Sequence, residues 1–211
     1  MTNASSMIFA VRPNYASKIY TRLSVPHLKA EEWYDRLWLR VDDDGRLLPD
    51  AREWVAGLPL HFGEKGGPPP EIGICGHHGM APDEVMAVTE TMRETLSALD
   101  PEAFDFVELP NVTGDAVDPS RKWWFAHPRV FASAYNLEVS RLKVLPPGRR
   151  GFARAQLRGS RRVFYADKVP PRAYWIEEAV GYGMATQAFR DAIEPLAGDL
   201  HVWRPCEVGS S

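Results

Sequence analysis

The chain has little cysteine, no long apolar run and none of the compact motifs that mark a catalytic or cofactor site. Only Cys75 and Cys206 occur among 211 residues, too few for a disulfide framework. The polar start Thr2-Asn3-Ala4-Ser5-Ser6 has neither the basic nor the apolar part of a signal peptide, so a reducing, cytoplasmic setting is expected. No apolar stretch approaches the roughly twenty residues needed to cross a bilayer, which argues against a spanning helix and a membrane partner. There is no C-x-x-C or H-x-x-x-H spacing of the kind a structural zinc site uses, and no G-x-S-x-G around a serine nucleophile. No catalytic residue and no cofactor are therefore expected.

What the chain does have is ordinary globular material and an uneven charge distribution. Hydrophobic residues make up 45% of it and prolines number 18, which predicts a packed core threaded by many irregular connections. The net charge of −3 conceals a segregation. Residues 121–172 hold thirteen Lys and Arg against Glu138 and Asp167, a balance of +11, while the remainder holds twelve against twenty-six, a balance of −14. A basic third on an acidic body either steers an oppositely charged partner or is neutralised within the chain. This contrast divides the sequence into an acidic α+β region, 1–120, and a C-terminal region, 121–211, which could also form one continuous domain.

Local patterns fill in the elements. Met7-Ile8-Phe9-Ala10-Val11 reads as a buried strand. Residues 37–48 read as a hairpin turning at Asp44-Gly45; the three aspartates there resemble a calcium loop, but aligning Gly45 with its glycine puts Arg40 and Ala51 at ligand places. Ile72-Gly73-Ile74-Cys75 reads as a strand, and Pro82 as the start of a helix carrying Val85, Met86, Val88, Met92, Leu96 and Leu99, with Asp83 and Glu84 in its first turn. Residues 104–109, 123–125, 142–145 and 162–165 read as further strands. A second helix is capped by Thr186, striped by Phe189, Ala192, Ile193 and Leu196, and stopped at Pro195 and Gly198; a final strand follows. No internal repeat is evident. The class is α+β, with mixed, mainly antiparallel sheet elements and two main helices.

Three sets of residues could carry chemistry. Cys75, His77 and His78 are metal-ligand types in one loop, and His61, His127, His201 and Cys206 could complete a site; a polar, glycine-bearing turn explains the loop equally well. Phosphate binding there is opposed by the Pro82-Asp83-Glu84 start, which removes an amide and adds two negative charges. The arginine series Arg149, Arg150, Arg154, Arg158, Arg161 and Arg162, with Phe152 between, is the candidate partner-binding face. Guanidinium groups pair with carboxylate or phosphate, and an aromatic can stack. A sequence pI near 6.1 and the lack of a nucleic-acid motif argue against nucleic acid, leaving internal pairing or a protein partner.

The C-terminal end has an ordered grammar. Tyr174-Trp175-Ile176 leads to Phe189-Arg190-Asp191-Ala192-Ile193-Glu194 and then to His201-Val202-Trp203-Arg204-Pro205. It resembles a family of bacterial immunity proteins from polymorphic and contact-dependent toxin systems, whose closing segment runs W...S..F...IE......F.PV. Thr186 stands for the serine of that pattern, and Cys206 for the apolar residue after its proline. The resemblance implies a noncatalytic antidote that binds and neutralises a cognate toxin protein. Beside it stand two other readings: a metal-binding protein or enzyme using the Cys75, His77 and His78 loop, and a nucleic-acid-associated protein using the arginines of residues 149–162.

Overall fold

The computed structural model describes residues 7–13, 23–24, 40–62, 71–75, 85–114, 117–140, 142–145, 154–157 and 161–209. In chain order these form β1 (Ile8–Pro13), β2 (Leu23–Ser24), α1 (Pro49–Ala56), β3 (Leu60–Phe62), β4 (Ile72–Cys75), β5 (Val85–Thr89), α2 (Glu90–Leu99), β6 (Phe104–Glu108), β7 (Val112–Thr113) and β8 (Trp123–Pro128). There follow β9 (Phe131–Ala132), β10 (Leu142–Leu145), β11 (Arg154–Leu157), β12 (Val163–Tyr165), β13 (Tyr174–Glu177), β14 (Tyr182–Thr186), α3 (Gln187–Ala197) and β15 (His201–Gly209). The fold is α+β. Its larger sheets run β4-β5-β8-β6 and β12-β15-β1-β14-β13-β9, β2-β3-β7 form a small third sheet, and β10 and β11 pair only with each other among the described residues.

The two larger sheets are built on one plan. In the first, the antiparallel hairpin β4-β5 leads into α2 and then β6, with β8 threaded antiparallel between β5 and β6. In the second, hairpin β13-β14 leads into α3 and β15, with β1 threaded between β14 and β15. The match extends to single residues. Ile72 pairs with Val88 as Tyr174 pairs with Ala185. The Thr89 and Thr186 amides donate to the carbonyls of Glu71 and Ala173. Arg93 lies over the Trp124 ring at 4.7 Å, and Arg190 over Phe9 at 5.0 Å. The threaded strand comes after its unit in one case and before it in the other, so the second unit is closed by the start of the chain. The expectation of no repeat is thus overturned. Its trace in the sequence is Thr-x-x-Met-Arg-Glu-x-Leu-x-x-Leu at 89–99 beside Thr-x-x-Phe-Arg-Asp-x-Ile-x-x-Leu at 186–196.

One core joins the units. Met92 and Leu96 of α2, Phe189, Ile193 and Ala197 of α3, and the inward residues of both sheets belong to the same buried cluster. Phe104 stacks on Tyr174 at 5.1 Å and on Phe189 at 6.2 Å, bridging first unit and second. Tyr174, Trp175 and Phe189 are buried as the aromatic grammar predicts, while Tyr182 and Trp203 are half-buried. A polar seam adds to the contact, as Asp100 accepts from the Ala173 amide at 2.8 Å and pairs with Arg172.

Two helix ends differ from the expected ones, the first wholly and the second in part. The helix expected from Pro82 begins at Glu90, because Val85–Thr89 is a central strand bonded on both edges, with Met86, Ala87 and Val88 all buried. A run that is buried on both faces satisfies helical and strand spacing alike, and sheet pairing decides. Of the two residues expected to stop the last helix, Gly198 does so, at φ 58°, while Pro195 lies inside the helix, which continues through Ala197. Thr186 caps it as expected, its hydroxyl accepting from the Phe189 amide at 3.3 Å. A third helix, α1, was not anticipated. At the aspartate turn Val41 bridges Leu47, Asp42 Oδ1 accepts from the Asp44 and Arg46 amides, and Gly45 has φ 73°. A Cβ on Gly45 would fall 2.0 Å from the Arg129 carbonyl oxygen, so glycine is required there.

Candidate functional site

Of the arginine series, Arg154 opens one strand of a two-stranded ribbon. β10 and β11 pair antiparallel, with Leu142 opposite Leu157 and Leu145 opposite Arg154. Arg149, Arg150, Phe152 and Arg158 lie outside the described residues, as does the side chain of Arg154. Arg161 is described and exposed, and its guanidinium grips Glu207 at 2.8 to 3.1 Å. That pairing holds the Glu207 carboxyl below its usual range and raises the arginine. Arg162 is half-buried just ahead of β12.

Other arginines of the basic third also reach the acidic body. Arg121 pairs with Glu71, and Arg172 with Asp100 and Glu102. Internal neutralisation therefore accounts for part of the +11 balance.

The ribbon is rooted on the outer face of the six-stranded sheet. The Ser140 hydroxyl accepts from the Val163 amide at 3.0 Å and donates to the Val163 carbonyl at 3.2 Å, while the Asn136 amide donates to that same carbonyl at 2.9 Å. Tyr135 stacks on Phe164 with centroids 4.4 Å apart, and Phe164 meets Trp175 edge-on. Among the described residues, three of the exposed large hydrophobics, Leu137, Val139 and Val208, lie on the turn leading into the ribbon or on the strand end beside it.

Beneath the root lies Glu177, which is fully buried. Its position follows from the parallel pairing of β9 with β13. Ile176 and Glu178 donate to the carbonyls of Val130 and Ala132, and the next donor in that ladder, the Ala134 amide, meets the Glu177 carboxyl at 3.0 Å. The chain turns away at this point, with the Val180 and Gly181 amides closing onto the Glu177 carbonyl. The carboxyl thus takes the place of the missing strand carbonyl. Among the described residues its Oε1 has no hydrogen-bond partner, nor do the Tyr135 hydroxyl and the Trp175 indole nitrogen. Burial pushes the Glu177 carboxyl up to about 7, with the amides of Ala134, Ala179 and Tyr135 pulling the other way. Burial also raises the Tyr135 phenol and brings the Cys206 thiol to about 11, so this thiol stays protonated and unreactive at neutral pH. Sequence reasoning passed over Glu177, since a glutamate pair at a strand end reads as solvated; no local signal distinguishes it.

The metal alternative stays where the sequence left it. Cys75 ends β4 with its side chain outside the described residues, and His77 and His78 lie outside them altogether. Among the described residues no group of three His, Cys, Asp or Glu is placed to hold a metal ion. The other histidines are dispersed: His61 shares a hydrogen bond with Thr113 at 3.0 Å, His127 is buried beside Phe125, and His201 lies against Trp203. No helix among the described residues is long and apolar enough to cross a membrane. Compared with known proteins, the chain matches no family model, no curated protein and no solved structure.

Proposed function

We propose that the protein is a noncatalytic binder of another protein, acting in the cytoplasm as an immunity-type antidote that neutralises a bacterial toxin. The observation that carries this reading is the arginine-bearing ribbon, a sheet of its own rooted by Ser140, Asn136 and Arg161 on the outer face of the larger sheet. A ribbon anchored at one end offers main chain and side chains to a partner while the core stays unchanged. With Arg161 engaged by Glu207 and Arg162 half-buried ahead of β12, the contact set narrows to Arg149, Arg150, Phe152, Arg154 and Arg158. Cationic groups there suit an acidic protein surface, and complementarity of that kind acts chiefly on the rate of encounter.

The test is co-expression and mixing with the product of a neighbouring toxin gene. A stable complex and restored growth are expected, with a total buried area of at least about 1,200 Å². Arg154→Glu combined with Arg158→Glu should slow association about tenfold or more at low salt and weaken its salt dependence. Failure to bind or protect against any toxin encoded beside it would sink the reading.

A further inference from the structure

We propose that Glu177 is a protonation latch for the ribbon root: neutral, it closes the 130–140 segment onto β13, and ionised, it releases that segment. The geometry supports this on three counts. Glu177 is fully buried, its carboxyl is the acceptor that continues the β9-β13 ladder to the Ala134 amide, and its second oxygen has no partner among the described residues. From Ala134 onward the segment is held by Tyr165 donating to the Ala134 carbonyl at 2.9 Å, by the Tyr135-Phe164 stack and by the Asn136 and Ser140 bonds to Val163, and it then enters β10. Releasing its first attachment loosens the connection through which the ribbon is aimed.

The surroundings determine which form is stable. The groups facing the cluster from the packed elements are Tyr135 on the segment itself, Tyr182 on β14, Cys206 on β15, Arg162 ahead of β12 and Glu178 next along the chain. Glu178 is a like charge, drawn outward by the Ser133 hydroxyl. Both Tyr135 and Cys206 stay neutral at physiological pH, and the guanidinium of Arg162 acts on that pair. An ionised Glu177 therefore faces three amides and, among the described residues, no hydrogen-bonded cation, and burial without a charge partner favours the neutral acid or an opened segment. The ladder position makes opening the economical response, since a short displacement of the 131–134 stretch admits water to the carboxylate.

The consequence for binding rests on the reading of the ribbon as a contact surface, but the latch itself is tested without a partner. Hydrogen exchange of the full chain is followed at about pH 5.5 and about pH 8.5, corrected for intrinsic rates, with the 104–108 strand as internal reference. Protection over 130–140 should fall at least about tenfold relative to the reference at the higher pH in the wild type, and stay level in Glu177→Gln, which keeps the acceptor and loses the charge. Equal falls in both proteins, or no fall in the wild type, would overturn the latch. Should Glu177→Gln fail to fold, carboxyl-carbon NMR of the wild type decides: a Glu177 titration near neutrality that shifts the Ala134 amide supports the latch, and an ordinary carboxylate titration or a silent amide overturns it. These outcomes are independent of whether a toxin binds.

Discussion

The two units share a register and face each other across one core, and they differ in what covers their outer faces. On the first, α1 lies over the sheet, and its Arg52 donates twice to Asp105 at 2.5 and 2.6 Å and once to the Phe106 carbonyl, with the Leu47 amide also on Asp105. The carboxylate under that helix, Asp105, is thus paired with an arginine. On the second, no helix is laid over the sheet among the described residues; the cover is the 131–140 segment with Tyr135, and beneath it are Glu177, the Tyr135 hydroxyl and the Trp175 nitrogen with hydrogen-bonding capacity unmet. Unmet buried polar atoms cost stability, of the order of 1–3 kcal/mol each. Under their outer covers the two units thus differ in one carboxylate each, Asp105 paired with an arginine and Glu177 with no ionic partner among the described residues.

The comparison also accounts for why the units look unrelated in sequence. Positions facing the shared core keep their type in both copies: Thr89 and Thr186 begin the helices, Met92 and Phe189 enter the core, and Arg93 and Arg190 lie over a ring from the threaded strand. Outward positions answer to different covers and have no reason to agree. Cys75 in β4 and Glu177 in β13 occupy equivalent register positions and have no chemistry in common.

The largest expected effect tests whether the units form one core. Phe189→Ala should cost about 3–5 kcal/mol, and Met92→Ala at the equivalent position about 2–5 kcal/mol, since both are buried in the same cluster. Each variant should unfold in one cooperative transition when followed by tryptophan fluorescence and by circular dichroism. Two separated transitions, with only one unit affected, would break the comparison and make the halves independent.

A second test uses the opposite acid-base character of two buried groups. Glu177 titrates at about 7 in the folded chain against 4.5 for an ordinary glutamate. Its contribution is thus present in full below about 4.5 and lost as the pH rises through about 7, a loss of about 3 kcal/mol. His127, on the first sheet, is lowered by burial to about 4 from 6.5, with Asp105 opposing. The folded chain then binds fewer protons than the unfolded one across that window, and stability drops as the pH falls from 6.5 through 4. His201 is lowered to about 4 for the same reason and adds to the acid limb. Urea titrations should show Glu177→Gln flattening the alkaline side alone and His127→Gln flattening part of the acid side alone. A variant that shifts both limbs together would show that the two faces are not separable.

Much of the second unit can be read from residue types: Thr186 before an apolar stripe announces a capped helix, and a Tyr-Trp-Ile run a buried strand. The first unit is harder because Val85-Met86-Ala87-Val88 merges with the stripe of the helix after it, so that one continuous pattern hides a strand, a cap and a helix. Thr89 is the residue that separates them, and its likeness to Thr186 is visible only once both helices are known to begin there. Among the candidate residues, the arginines declare themselves by charge. Glu177 does not, because its burial depends on β9 pairing with it from far upstream and on the Ala134 amide 43 residues away, rather than on its own neighbours.

The smallest expected effect tests the finest point of equivalence, the arginine over a ring in each unit. Arg93 sits over Trp124, whose indole nitrogen donates to Glu90, and Glu90 also pairs with Arg93. Arg190 sits over Phe9 and pairs with Glu194 one turn on. Tryptophan is the better cation acceptor, and such contacts are worth about 0.5–1 kcal/mol at partly exposed sites. Arg93→Met and Arg190→Met keep the apolar stem, so each should lose about that much, with the first losing more. Double variants with Trp124→Leu and Phe9→Leu isolate the ring contribution from the carboxylate pair. Equal couplings would mean that the ion pairs, not the rings, hold these side chains in place, and that the matched geometry follows from the matched backbone alone.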